Sequence, residues 1–298
     1  MQITWEKKDS TQMKISDFLR SKQISGRTLK KIRQGQGQIL VNGCKANQNQ
    51  KIKNAKVTLN LFPEKADPNV FQSDLPIDII AENDYFLAVN KPGNLSSVPG
   101  PKNQQTTLAN RALGYGQKQK EVFVPHILTR LDYDTSGVVL FAKSNFVQSM
   151  VQEQITNHTM KKEYIALIEG FLPPNEHKLI DLPLEKESFE SAKRVVKPTG
   201  KTAQTEYWVV QSNSQKSLVK VQLHTGRTHQ IRAHFAHLGH PLVGDQLYGG
   251  STDLIQRQML HAYQVSLLNP FTAELQTFKA KMPADFSTVL NELEFNLG

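Results

Sequence analysis

The sequence predicts an α+β protein: a small helix-and-strand region followed by a larger domain built on a mixed sheet. Three observations carry that expectation. Helix-like and strand-like segments mix along the 298 residues without the regular βαβ rhythm of a doubly wound sheet. A stretch with three prolines, residues 63–76, breaks all periodicity and divides a short first region from a long second one. Charge is divided at the same place. Residues 1–66 hold 14 Lys/Arg against 4 Asp/Glu, whereas the remainder holds 22 against 23, so the whole formal excess of +9 lies in the first fifth. The expected organisation is a basic domain over 1–66, a linker over 67–76 and a second domain over 77–298.

Residues 14–33 are expected to be helical in two pieces. Ile15, Phe18 and Leu19 repeat at i, i+3, i+4, and Ser25-Gly26 breaks the run. The next segment sets a short apolar stripe, Leu29 and Ile32, among Arg27, Lys30, Lys31 and Arg33, before Gly35 and Gly37 stop it. Ile39–Val41 is a predicted strand, Asn42-Gly43 a tight hairpin turn, and Lys56–Phe62 a second strand with Val57, Leu59 and Leu61 on one face. Beyond the proline-rich stretch, Ile77–Glu82 and Tyr85–Asn90 read as strands separated by an Asn83-Asp84 turn. Val138–Ala142 is strand-like, and Lys161–Gly170 alternates as a half-buried strand would.

The bulk properties exclude several classes. No apolar run approaches a membrane span, and the N-terminal residues lack the apolar core of a secretion signal. The lone cysteine, Cys44, rules out an intrachain disulfide and fits a reducing compartment, so a cytoplasmic location is expected. A basic surface confined to one end suits a polyanion, and nucleic acid suits it better than membrane because no strongly apolar helix face accompanies the charge.

Two dense blocks hold the candidate chemistry: Thr129-Arg-Leu-Asp-Tyr-Asp-Thr-Ser-Gly137 and His224-Thr-Gly-Arg-Thr-His-Gln-Ile-Arg232. In the first, a carboxylate, Asp132, sits before an Asp-Thr-Ser-Gly turn that feeds a strand, a place where catalytic groups are commonly presented. A carboxylate can attack or stabilise an anomeric carbon. Asp favours turns anyway, and that is the preferred account of Asp134. Arg130, two residues from Asp132, would share its cleft if the segment were a strand, or would simply pair with it. Tyr164 suits either stacking on a base or filling a core. The spacing of His229, His234, His237 and His240 invites a zinc site, yet no cysteine or His-Glu-x-x-His accompanies them; no metal and no cofactor are expected.

Together the two blocks resemble the first and last signature motifs of the RluA family of pseudouridine synthases. Lys162-Glu-Tyr164 with its alternating strand resembles the second motif, and further matches occur at Asn90-Lys-Pro92, Thr107-Leu108, Gly200–Thr205, Gly239–Asp245 and Tyr248-Gly249. The resemblance covers about residues 77–283. It implies a mixed, mainly antiparallel sheet of the pseudouridine synthase catalytic fold, and a cofactor-free isomerisation of uridine in RNA. It also implies the roles: Asp132 acts at the ribose, Arg232 is its cationic partner, Tyr164 stacks on the flipped base, Arg130 fills the space the base vacates, and Arg227 touches phosphate or holds its loop. Thr129 departs from the family's usual His. Residues 13–62 are similar to an S4-type RNA-binding domain, which would lay Arg27, Lys30, Lys31 and Arg33 against RNA phosphates. A monomer acting on RNA, chiefly large-subunit ribosomal RNA, is the expectation. Transfer RNA is the competing substrate, and a non-catalytic RNA-binding or ribosome-assembly factor the competing function.

Overall fold

The computed structural model describes residues 1–101 and 103–296. In the N-terminal region, Ile15, Phe18 and Leu19 form the buried face of helix α1 (Ile15–Ser21). Ser25 starts helix α2 (Gly26–Lys31), its hydroxyl accepting the Thr28 amide as an N-cap. Gly35, at φ 92°, turns the chain out of the helical path. Asn42 and Gly43 both have positive φ, 50° and 86°, as a tight hairpin turn between Gly37–Val41 and Cys44–Ala46 requires. Strand Ala55–Leu61 lies in the middle of a four-stranded antiparallel sheet, flanked by Gly37–Val41 and by Gln2–Lys7. Nothing in the sequence pattern signals the last of these strands; it sets Trp5 opposite Val57.

Residues 63–76 carry neither helix nor strand, yet they are bound along the larger domain. Glu64 takes hydrogen bonds from the His126 ring at 2.7 Å and the Asn145 amide at 2.7 Å. The Ser73 amide donates to the Asn110 carbonyl, and the Asn110 side chain donates to that of Phe71. This segment is a strap and not a free tether.

The larger domain is a ten-stranded mixed sheet, mainly antiparallel as expected. Its central path runs from Gln204–Ser212 through Lys216–Leu223, Lys161–Glu169, Leu260–Leu268 and Ser136–Ala142 to Phe86–Lys91. The pairing of Ser136–Ala142 with Leu260–Leu268 is parallel, Gly137 lying opposite Ala262. There a Cβ on Gly137 (φ 117°) would stand 2.2 Å from the Ala262 carbonyl oxygen, so the position admits only glycine. Lys161–Glu169 is buried on both faces, correcting the half-buried expectation. Tyr164, Ala166 and Ile168 meet Ile231 and Phe235 of helix α5 (Gln230–His237) on one side. Ile165 and Leu167 meet Phe286, Val289 and Leu290 of helix α6 (Ala284–Glu292) on the other. Helices thus cover a sheet that sequence alternation alone would leave open to water on one face.

The two domains share apolar side chains. Phe146 and Met150, from helix α4 (Asn145–Thr156) of the larger domain, are buried in the core of the smaller one, while Val147 and Val151 of the same helix face the large sheet. Lys31 donates to the Asn145 side chain at 2.7 Å. This corrects one expectation: Lys31 faces the junction between the domains, and only Arg27, Lys30 and Arg33 are exposed on that stretch. Lys30 and Arg33 line a concavity of about 460 Å³ together with Lys14, Arg20 and Asn49.

Candidate active site

Asp132 sits in an irregular loop, 128–135, that enters the parallel seam of the sheet. The segment is not a strand, so the loop, and not period-2 alternation, turns Arg130 and Asp132 towards one cavity of about 730 Å³. The loop is held at each step. Thr129 is buried, and its hydroxyl accepts the Leu140 amide at 2.9 Å, so the departure from the usual His leaves no polar gap. The Ser97 hydroxyl accepts the Leu131 amide at 3.0 Å and donates to its carbonyl at 2.7 Å. The Lys91 ammonium, fully buried, donates to the carbonyls of Pro92, Leu95 and Tyr133 at 2.7–2.9 Å. Burial pushes this amine down to about 7, against the pull of Asp134 and Asp132. A short turn with Asn94 at φ 58° supplies two of those carbonyls.

Arg232 projects from helix α5 and meets Asp132 at 3.3 Å. The rest of its guanidinium is taken by Asp245, at 2.6 and 2.8 Å, in a two-pronged pair almost wholly withdrawn from water. The Tyr248 ring lies 5.0 Å from the guanidinium carbon. One arginine thus faces two carboxylates: Asp245 fixes its plane, and its remaining nitrogen offers a countercharge to Asp132. His229, in the left-handed conformation just before the helix, comes to 3.9 Å of Asp132. Burial lowers its pKa in spite of that carboxylate, so the ring stands neutral at neutral pH.

Tyr164 lines the same cavity from its strand. Burial first, and Asp132 second, raise its pKa, so its ring is presented as a neutral phenol. That suits stacking and hydrogen-bond donation; a base role at carbon 5 would need the phenolate that this environment opposes. Arg130 is exposed at the cavity edge and makes no ion pair with Asp132. Arg227 anchors its Nε on the Thr202 carbonyl at 2.9 Å and also borders the cavity. The histidines disperse: His234 spends both nitrogens on Thr205 and Leu182, and His240 bonds the Glu169 carbonyl.

Asp132 on its loop, the buried Arg232 and Tyr164 line one cavity, the grouping the motif resemblance implied. Residues 85–237 match the family described as RNA pseudouridylate synthase. The chain belongs to this family. An uncharacterized RNA pseudouridine synthase of Bacillus subtilis, YjbO, is 34% identical over 279 residues, spanning 93% of this chain and 98% of the relative. Ribosomal large subunit pseudouridine synthase D of Haemophilus influenzae is 32% identical over 251 residues, spanning 79% and 77%. The human RNA pseudouridylate synthase domain containing 4 shares the fold, with a TM-score of 0.62 at 21% identity over 74% of this chain and 94% of that one. The protein is an RluA-family RNA pseudouridine synthase, an isomerase acting on RNA. No helix among the described residues is long and apolar enough to cross a membrane.

Sequence reasoning missed the residues that act through others. Asp245 lies inside a motif match, and only the fold shows it gripping Arg232. Lys91 and Ser97 lie 42 and 34 residues before Tyr133 and Leu131, the loop residues they bind, yet determine the path of the loop. A signal existed for Lys91 alone, in the Asn-Lys-Pro string, and it did not tell what the amine would bind.

Proposed function

We propose that the synthase isomerises uridine in large-subunit ribosomal RNA, with Asp132 acting at the ribose of a flipped nucleotide. The observation that carries this is the Asp132–Arg232 contact at 3.3 Å, inside a cavity that also holds Tyr164. Flipping the base costs a few kcal/mol, which Arg130 offsets by entering the vacated stack. The Asp132 carboxylate then attacks C1′ or takes the C2′ proton. The N1–C1′ bond breaks, and uracil departs as an anion with its charge spread over the ring. It turns under Tyr164 and re-bonds through C5 to C1′ as Asp132 leaves C1′ or returns the proton to C2′; C5 then gives up its proton and N1 takes one up. Arg232 keeps the carboxylate charged and aimed while water is excluded. No atom is gained or lost, and no cofactor is needed. Arg27, Lys30 and Arg33 dock the RNA by its phosphates, in the manner of an S4-type domain, and a single protomer suffices. Similarity to synthase D of Haemophilus influenzae supports the ribosomal target.

The test is to incubate purified protein with ribosomal RNA transcripts and map pseudouridine by chemical labelling and primer extension. Activity is expected without added metal or nucleotide. Asp132→Asn should reduce it by at least about 10³-fold while RNA affinity stays nearly constant. Modification of transfer RNA alone would reassign the substrate, and wild-type protein that never forms pseudouridine in any RNA of its host would remove the catalytic proposal.

A further inference from the structure

The cavity has a second wall whose charges the chemistry above does not use. His158 follows helix α4 in a left-handed turn at φ 57°, Lys162 lies two residues before Tyr164 on the same strand face, and Gly226–Thr228 close the loop before helix α5. All of them line the cavity. Among the described residues Asp132 is the only carboxylate that does so, and Arg232 already faces it.

The cations on this wall are unspent. Burial alone pushes the Lys162 amine down, with no carboxylate or hydrogen bond offsetting it. Its nitrogen lies so close to Gly226 that a Cβ there would stand 3.3 Å away. Glu163, the nearest acid in sequence, points to the opposite strand face, where it pairs with Lys220. Arg227 is anchored through Nε at Thr202, which leaves both terminal nitrogens for a ligand. His158 feels Lys162, Arg227 and His224 as repelling charges; His224 is itself tied to Glu206 at 2.7 Å. Near the end of helix α4 the carbonyls of Glu153, Gln154 and Ile155 accept the amides of residues 157–160. Holding the half-buried Lys162 ammonium and Arg227 guanidinium on one cavity wall is costly unless an anion joins them.

We propose that Lys162, Arg227 and His158 form a clamp for the phosphodiester group next to the flipped uridine. The clamp rests on the proposed uridine chemistry and names the second group that the cavity grips. Lys162 and Tyr164 are separated by about 7 Å along one strand face, the scale on which a phosphate and a base are separated within one nucleotide. An anchored guanidinium, an unpaired ammonium and an imidazole donor around one anionic group give charge-assisted hydrogen bonds that a bare nucleoside cannot make.

Titration of the full-length protein with uridine 3′,5′-bisphosphate and with uridine, followed by NMR, tests this. The bisphosphate should bind about tenfold or more tightly than uridine, and Lys162→Gln or Arg227→Gln should erase most of that ratio. Lys162→Arg should retain it, which separates loss of charge from misfolding. A ratio unaffected by both neutral variants, or no saturable binding of the bisphosphate, overturns the clamp. The outcome is independent of turnover: ligand binding as described by a protein inactive on ribosomal RNA would sink the proposed activity and leave the clamp standing.

Discussion

The small basic domain and the cavity of the large one use charge in opposite ways. On the small domain, Arg27, Lys30 and Arg33 are exposed cations, and any attraction they exert on a polyanion reaches through water, where salt screens it. In the cavity, Arg232 is buried and shared between Asp132 and Asp245, so its charge is spent on orientation before any substrate arrives. The contrast teaches that a count of basic residues finds exposed cations and misses an arginine already committed to carboxylates. The domain with a net charge near zero holds the chemistry.

The comparison breaks first at Asp245. Replacing it with Asn removes one of two carboxylates from a buried guanidinium and leaves Asp132 as its sole countercharge, a loss that costs up to about 3–5 kcal/mol. Thermal unfolding should shift down accordingly. Because Arg232 would lose its fixed plane, pseudouridine formation should fall about 10²-fold in folded protein. Full activity in Asp245→Asn would show that Asp132 needs no oriented partner. The next test sharpens the role of Tyr164. Tyr164→Leu removes a stacking surface worth about 1–3 kcal/mol, read as a fall in kcat/KM, while Tyr164→Phe should keep most of the activity. Equal losses would transfer the role from the ring to the hydroxyl. The smallest effect belongs to the docking face. Exchanging Arg27, Lys30 and Arg33 for Gln together should lower the salt slope of RNA binding by about 0.7–0.9 for each phosphate that is no longer neutralised, with kcat at saturating RNA unchanged. An unaltered slope would end the docking proposal. Point substitution is the sound design here, because deleting the domain would uncover Phe146 and Met150.

Local features of the fold were legible because local physics decides them. The i, i+3, i+4 pattern of Ile15, Phe18 and Leu19 specifies a helix face, and Asn42-Gly43 specifies a turn. Motif spacing brings Asp132, Tyr164 and Arg232 into consideration, and the fold places all three on one cavity. The features that the sequence does not disclose depend on partners distant in the chain. Strand pairing around Gln2–Lys7 is decided by residues 55–60, and the direction of Lys31 by Asn145. The path of the loop around Asp132 is set by hydrogen bonds with Ser97 and Lys91, 34 and 42 residues from their partners, which alternation cannot reveal.

Helix α4 has a consequence for how targets are chosen. Its first turns are embedded in the small domain through Phe146 and Met150, and Ile155 near its last turn belongs to the cavity wall. Twelve residues make a rod about 18 Å long, so the exposed cations of the small domain and the Asp132 carboxylate keep a set spacing. Under the proposed docking the pair acts as a caliper: an RNA held by the small domain would present to Asp132 only a uridine lying at that span.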